Sequence, residues 1–197
     1  MRILFATSNK NKVTEAGTLL AESGHTVEQL LVGGIAPDFS EPKELGIEAV
    51  ASSKMSQALL LLQQENIERA AVMVEDSGIF LDAFDEWPGA ESADVETEIG
   101  LDGILSLLGD DLPRGAEYRA VAMVSDGNST WIAEGICRGE IADSAKGDGG
   151  FGYDPIFIPE EANGRTCAQL SSLEKSAISH RGFALKGVSE LLNLPSK

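Results

Sequence analysis

Two adjacent carboxylates, Glu75 and Asp76, follow directly on the apolar run Ala70 to Val74 and lead into Ser77-Gly78. Carboxylates at the end of a strand can hold a hard divalent cation through oxygen, or one of them can take a proton from water. In open α/β sheets, ligands collect outside the carboxyl ends of strands, so the position suits either use. A plain turn, with Asp as local acceptor and Gly78 for the bend, accounts for the same four residues. A second polar cluster, Thr7-Ser8-Asn9-Lys10-Asn11-Lys12, joins an apolar run to a helical pattern. Such a junction offers backbone N–H groups and a positive helix end to phosphate oxygens. The GxxxxGK[ST] pattern of a P-loop is absent, and an Asn- or Ser-capped loop explains the segment equally well.

Two further clusters lie later in the chain. Gly149-Gly150-Phe151-Gly152-Tyr153-Asp154-Pro155 combines glycines that admit close backbone approach with two aromatics able to stack on a base; a tight turn with both rings in the core is the alternative. In Glu174-Lys175-Ser176-Ala177-Ile178-Ser179-His180-Arg181, the last two residues fall in the first turn of the final helix. Cations there oppose the helix dipole, a local cost that an anion or an electronegative base edge nearby would offset. Solvated surface charge is the plainer reading.

Charge gives these clusters joint weight. Lys plus Arg number 15 against 32 Asp plus Glu, a formal net charge of −17. Such a chain repels a nucleic-acid backbone, so no nucleic-acid partner is expected. Yet Lys10, Lys12, Lys175, His180 and Arg181 all fall within the four clusters, and Lys54 sits on a long helix otherwise rich in apolar residues. Scarce positive charge gathered beside carboxylates is what a nucleotide–metal site requires.

The elements that must carry these groups follow from periodicity. Arg2 to Thr7 reads as a buried strand, followed by a helix with Val13, Ala16, Leu19 and Leu20 on one face and a stop at Gly24. Val27 to Val32 reads as a second strand, Pro37 to Pro42 as loop, and Ile47 to Gln64 as a long helix. Ala70 to Val74 is a third strand, Trp87-Pro88-Gly89 a break, and Ile99 to Leu108 a helix. Tyr118 to Val124 and Thr130 to Cys137 form a hairpin about Asp126-Gly127-Asn128. Gly147 to Pro155 is a loop between strands, and Ser179 caps a last helix with Ala184, Leu185, Val188, Leu191 and Leu192 on its inner face. The pattern is an α/β fold with a mixed sheet. The 197 residues suit a single domain spanning 1–197. The longest aliphatic run, Ala58 to Leu62, is far too short to span a bilayer. Two cysteines without a CxxC pair and an N-terminus that begins directly with a strand point to a cytoplasmic protein without a membrane partner.

The four clusters, in this order, resemble the inosine triphosphate pyrophosphatase family, which hydrolyses dITP, ITP and XTP. The Gly150–Pro155 and Glu174–Arg181 blocks are the more specific. The resemblance implies an elongated, mixed, twisted sheet flanked by helices, with two lobes around a central nucleotide cleft. It also implies a homodimer, a Mg²⁺ cofactor with Mn²⁺ as substitute, and a purine nucleoside triphosphate as substrate, converted to monophosphate and pyrophosphate.

By motif position, Asp76 resembles the catalytic base and a metal ligand. Thr7, Ser8, Asn9, Lys10, Asn11, Lys12, Lys54, Ser77 and Lys175 resemble phosphate or sugar contacts. Phe151, Gly152, Tyr153 and Asp154, with His180 and Arg181, resemble the base-recognition wall. The family's metal-binding Glu before the long helix has two candidates, Glu41 and Glu44; Glu44 is preferred because Glu44-Leu45-Gly46 resembles a common form of that segment. The chain departs from the family at Ala51-Ser52-Ser53, where Glu-Asn-Ala opens the helix in bacterial members, and at Ser92-Ala93-Asp94, where Ser-Ala-Arg is usual. A pyrophosphatase for pyrimidine or modified nucleotides and a non-catalytic nucleotide sensor are the rival functions.

Overall fold

In the computed structural model, which describes residues 1–67 and 70–194, seven strands and five α-helices are interspersed along the chain. The strands are β1 Arg2–Phe5, β2 Thr26–Gln29, β3 Ala71–Leu81, β4 Pro88–Gly89, β5 Gly115–Ser125, β6 Thr130–Ile141 and β7 Phe157–Pro159. The helices are α1 Lys10–Ala21, α2 Ile47–Gln64, α3 Ser92–Leu108, α4 Ser172–Ile178 and α5 His180–Leu192. The strand order is β2-β1-β3-β5-β6-β7, with β4 on β3. Parallel pairs (β1 with β2 and β3) and antiparallel pairs (β3 with β4, β6 with β7) coexist, so the sheet is mixed.

The chain divides into two compact units. The first comprises Met1–Asp76, Val121–Glu134 and Ala184–Lys197. Its core gathers Leu4 of β1 and Ala6 just beyond it, Val72 and Val74 of β3, Val121 and Met123 of β5, and Ala51, Met55, Ala58 and Leu62 of α2. The α2 residues recur at helical spacing, which is why that helix is legible in sequence from end to end. Ala184, Leu185 and Val188 of α5 are buried as expected, while Leu191 and Leu192 are half-buried.

The second unit comprises Ser77–Ala120 and Gly135–Phe183. Its core holds Ile79 and Leu81 of β3, Val95, Ile104 and Leu108 of α3, Tyr118 of β5, and Tyr153, Ile156, Phe157 and Cys167. The Asp126 turn closes the β5–β6 hairpin as the sequence implies: Asp126 Oδ1 accepts from the backbone N–H groups of Asn128 at 2.9 Å and Ser129 at 2.8 Å.

Three sequence expectations are corrected, and one helix is added. The third strand does not end at Val74; β3 runs on through Glu75-Asp76-Ser77-Gly78 to Leu81, so no turn exists there. Gly78 serves close approach instead: a Cβ on it would collide with the Gly89 carbonyl of β4. Ser92 Oγ bridges the same spot, accepting from Ile79 N–H at 2.9 Å and donating to the Gly89 carbonyl at 2.5 Å. The second strand stops at Gln29, and Val32 forms only a bridge with Ile35. Helix α3 begins at Ser92 rather than Ile99, and Gly100, at φ 66°, interrupts it. Of its first seven residues only Ser92 and Val95 are buried, so hydrophobic periodicity is silent there. Helix α4 is an addition to the expected elements; Ser171 and Glu174 make the reciprocal capping box that marks its start.

Candidate active site

In the first unit the junction from β1 to α1 is fastened by its own polar side chains. Asn9 caps α1: its Oδ1 accepts from Asn11 N–H at 2.9 Å and Lys12 N–H at 3.4 Å. Thr7 Oγ1 accepts from Asn9 N–H at 3.1 Å. Ser8, Lys10 and Asn11 are exposed, while Lys12 is half-buried and turns to the sheet. Its Nζ lies 2.7 Å from Glu75 Oε2, and the Glu75 carboxylate is fully buried.

Successive strand side chains point to opposite faces, and Asp76, next along β3, meets a different helix. Lys54 Nζ of α2 donates to Asp76 Oδ1 at 2.8 Å and lies 2.6 Å from Glu41 Oε1. One ammonium is thus shared between two carboxylates. Burial works against the Lys54 charge, but Asp76 and Glu41 together outweigh it and hold its pKa above the ordinary value. Burial also acts against the Glu41 carboxylate, yet Lys54 and Lys43 bring its pKa below the ordinary value. For Asp76 the balance goes the other way. Burial raises its pKa, and the pull of Lys54 and Lys12 does not cancel that rise. A buried carboxylate with a raised pKa beside fixed cations is the kind of group a general base requires.

Glu44, the preferred metal ligand by resemblance, is exposed on a single 3₁₀ turn, Lys43–Leu45. The structure instead brings Glu41 to the Lys54–Asp76 cluster. Among the described residues no three His, Cys, Asp or Glu side chains are gathered as a ready metal cage. The Asp76 and Glu41 carboxylates are nevertheless hard oxygen donors of the kind Mg²⁺ takes, since that ion commonly binds through one or two carboxylates plus phosphate oxygens and water. The donor set fits such an ion.

In the second unit Asp154 organises the glycine-rich loop. Its Oδ2 accepts from Phe151 N–H at 2.7 Å and from Lys175 Nζ at 2.6 Å, and the Asp154 and Lys175 side chains are both buried. A Cβ on Gly150, whose φ is +72°, would strike the Asp154 carboxylate, so glycine is required there. Phe151 is flanked by two cations, with Lys175 Nζ 4.8 Å and Arg181 Cζ 5.2 Å from its ring centre. Arg181 also reaches Ser77 Oγ at 3.3 Å. The His180 ring stacks on Tyr118 at 4.4 Å between centres and 8° between planes. Ser179 Oγ accepts from Gly182 N–H at 3.0 Å, which caps α5 and sets His180 and Arg181 in its first turn as expected.

Tyr153 takes its core alternative: it is buried, and its hydroxyl donates to the Ser92 carbonyl at 2.9 Å. Ser92 therefore holds both the β3–β4 approach and the loop that carries Phe151. Sequence reasoning also passed over Tyr118, the platform for His180, and Glu96, whose Oε2 faces Gly152. Burial, and then Asp154, raise the Glu96 pKa. Tyr118 and Glu96 lie in ordinary element positions, where residue type alone carries no signal, and Ser92 stood out only within the Ser92-Ala93-Asp94 segment.

The Ham1 family model matches residues 3–191. The chain is 36% identical over 184 residues to a dITP/XTP pyrophosphatase from Hyperthermus butylicus, covering 93% of this chain and 90% of that protein. It is 34% identical to a dITP/XTP pyrophosphatase from Pyrococcus horikoshii, covering the whole of both chains. Among solved structures, the Staphylococcus aureus Ham1 protein superposes with a TM-score of 0.79 at 28% identity, covering 98% of each chain.

Proposed function

This chain belongs to the Ham1 family, and on that premise we propose that it hydrolyses dITP, XTP and ITP to the nucleoside monophosphate and pyrophosphate. The relatives' activity supports the substrate class. The observation that carries the chemistry is the buried Asp76 carboxyl, raised in pKa by burial and set on an ammonium that Glu41 shares.

In this reading Asp76 accepts a proton from water as the water oxygen bonds to the α-phosphorus. The bond from the α-phosphorus to the bridging oxygen breaks, and pyrophosphate leaves with that oxygen. Lys12 and Lys54 offset the negative charge of the phosphates, which is large enough that water attack requires compensation first. Asp76 and Glu41 are the residues that would hold Mg²⁺, which supplies further charge neutralisation at the phosphates when bound.

Base selection falls to His180 and Arg181 around Phe151. A 6-keto oxygen accepts hydrogen bonds from such donors. The 6-amino group of adenine leaves them unpaired, which is costly in a dry site. Assembly as a homodimer belongs to the same reading through the family resemblance, and sedimentation tests it.

The deciding experiment is a panel of nucleoside triphosphates with Mg²⁺, resolving pyrophosphate from orthophosphate. ITP, dITP and XTP should yield pyrophosphate and monophosphate, with ATP turned over far more slowly. Stepwise orthophosphate release, or equal turnover of ATP, would overturn the reading.

A further inference from the structure

The segment carrying Glu41 has no strand or α-helix of its own; it lies between β2 and α2 with a single 3₁₀ turn. An ion pair between such a loop and a helix ordinarily contributes little, because ordering two long side chains offsets the attraction. Here the loop is tied down at the residue before Glu41. Gln57 of α2 grips the Ser40 backbone on both sides: Ser40 N–H donates to Gln57 Oε1 at 3.0 Å, and Gln57 Nε2 donates to the Ser40 carbonyl at 2.9 Å.

Ser53, one turn earlier on the same helix face, adds to the grip. Its hydroxyl donates to the Ser40 carbonyl at 3.0 Å and accepts from Gln57 Nε2 at 3.0 Å. On the other side, Phe39 packs against the core of the first unit. Both polar groups of the Ser40 backbone thus find partners on α2, and the next residue in that helix after Ser53 is Lys54. The helix that presents the ammonium also fixes the carboxylate that meets it.

We propose that Gln57, assisted by Ser53, is a positioning residue: its two-sided grip on Ser40 holds the Glu41 carboxylate on Lys54, beside Asp76. This rests on the proposed function for its link to turnover, but the grip has a consequence that does not depend on turnover. If Glu41 and Asp76 form the cation-binding pair, releasing Ser40 weakens cation binding without touching either carboxylate.

The test is a double-mutant cycle with Gln57→Ala, Glu41→Ala and the double variant. Mn²⁺ binding to the nucleotide-free protein is followed by electron paramagnetic resonance, alongside ITP turnover. Gln57→Ala should weaken Mn²⁺ binding about tenfold, the scale for losing an outer support of a metal ligand. It should raise the metal concentration needed for half-maximal rate by a similar factor and leave kcat at saturating metal nearly unchanged.

In the Glu41→Ala background, Gln57→Ala should add nothing, because residues acting as one unit are not additive. Ser53→Ala, which removes one bond of the grip, should give a smaller effect of the same kind. Wild-type Mn²⁺ affinity in Gln57→Ala, or the same fold-loss in both backgrounds, would overturn the proposal. Absence of pyrophosphate release by the wild-type protein would instead remove the functional reading and leave the Mn²⁺ cycle to stand or fall by itself.

Discussion

The Lys54 ammonium stands 2.8 Å from Asp76 Oδ1, yet it does not bring that carboxyl below the ordinary Asp range. Lys54 divides its charge between Asp76 and the more exposed Glu41, and burial of Asp76 exceeds what remains. The result is a carboxylate held in place by a cation while keeping affinity for a proton.

Asp76→Asn keeps the shape and removes the basic oxygen. Turnover of ITP should fall by about two to four decades, the scale of losing a general base. Nucleotide binding, read by calorimetry, should persist because Lys12 and Lys54 remain. Melting should change little, since Lys54 keeps Glu41. Near-normal turnover would remove Asp76 from the chemistry.

The pH dependence follows from the same balance. In the metal-free protein the Asp76 carboxyl, followed by NMR, should titrate above the ordinary Asp value of 3.8. Lys54 lowers that pKa, so Lys54→Met should move the titration to higher pH. A folded pKa raised above the unfolded one contributes stability that is full below the ordinary Asp value and is lost as pH rises through the folded value. A titration that does not move in Lys54→Met would show that Lys54 does not hold the Asp76 charge.

His180→Phe separates packing from base reading. The ring that stacks on Tyr118 is retained and its hydrogen-bonding nitrogens are lost. The ratio of kcat/KM for ITP over ATP should narrow about tenfold, near the value of one hydrogen bond. A proportional loss on both substrates would confine His180 to packing.

Two glycines should respond in opposite directions. Gly78→Ala drives a Cβ into the Gly89 carbonyl and should destabilise by about 1–3 kcal/mol, as overpacking does. A Cβ added at Gly17, inside α1, would meet nothing within 4 Å, and Gly17→Ala should stabilise by about 1 kcal/mol through helix propensity. Denaturant melts of the two variants beside wild type decide both.

Much of this protein was already determined by its sequence. Helix α2 and the β5–β6 hairpin follow from local pattern, because helical spacing and an Asp-Gly-Asn turn act over a few residues. The four clusters also stood out locally, since scarce cations and glycine-flanked aromatics contrast with their surroundings. Tertiary structure decided what local pattern does not encode. Glu75-Asp76-Ser77-Gly78 has the composition of a turn, yet it is strand, because β3 runs on through it to Ile79 and Phe80, where β4 and Ser92 take up the backbone over a distance in sequence that no period records. Glu41 rather than Glu44 meets Lys54 because Gln57 and Ser53 seize the Ser40 backbone, a hydrogen-bond choice invisible in residue types. The physical reason is the same in both cases. Propensity and periodicity report short-range preferences, whereas a backbone without a regular partner takes its course from whichever distant groups satisfy its N–H and C=O.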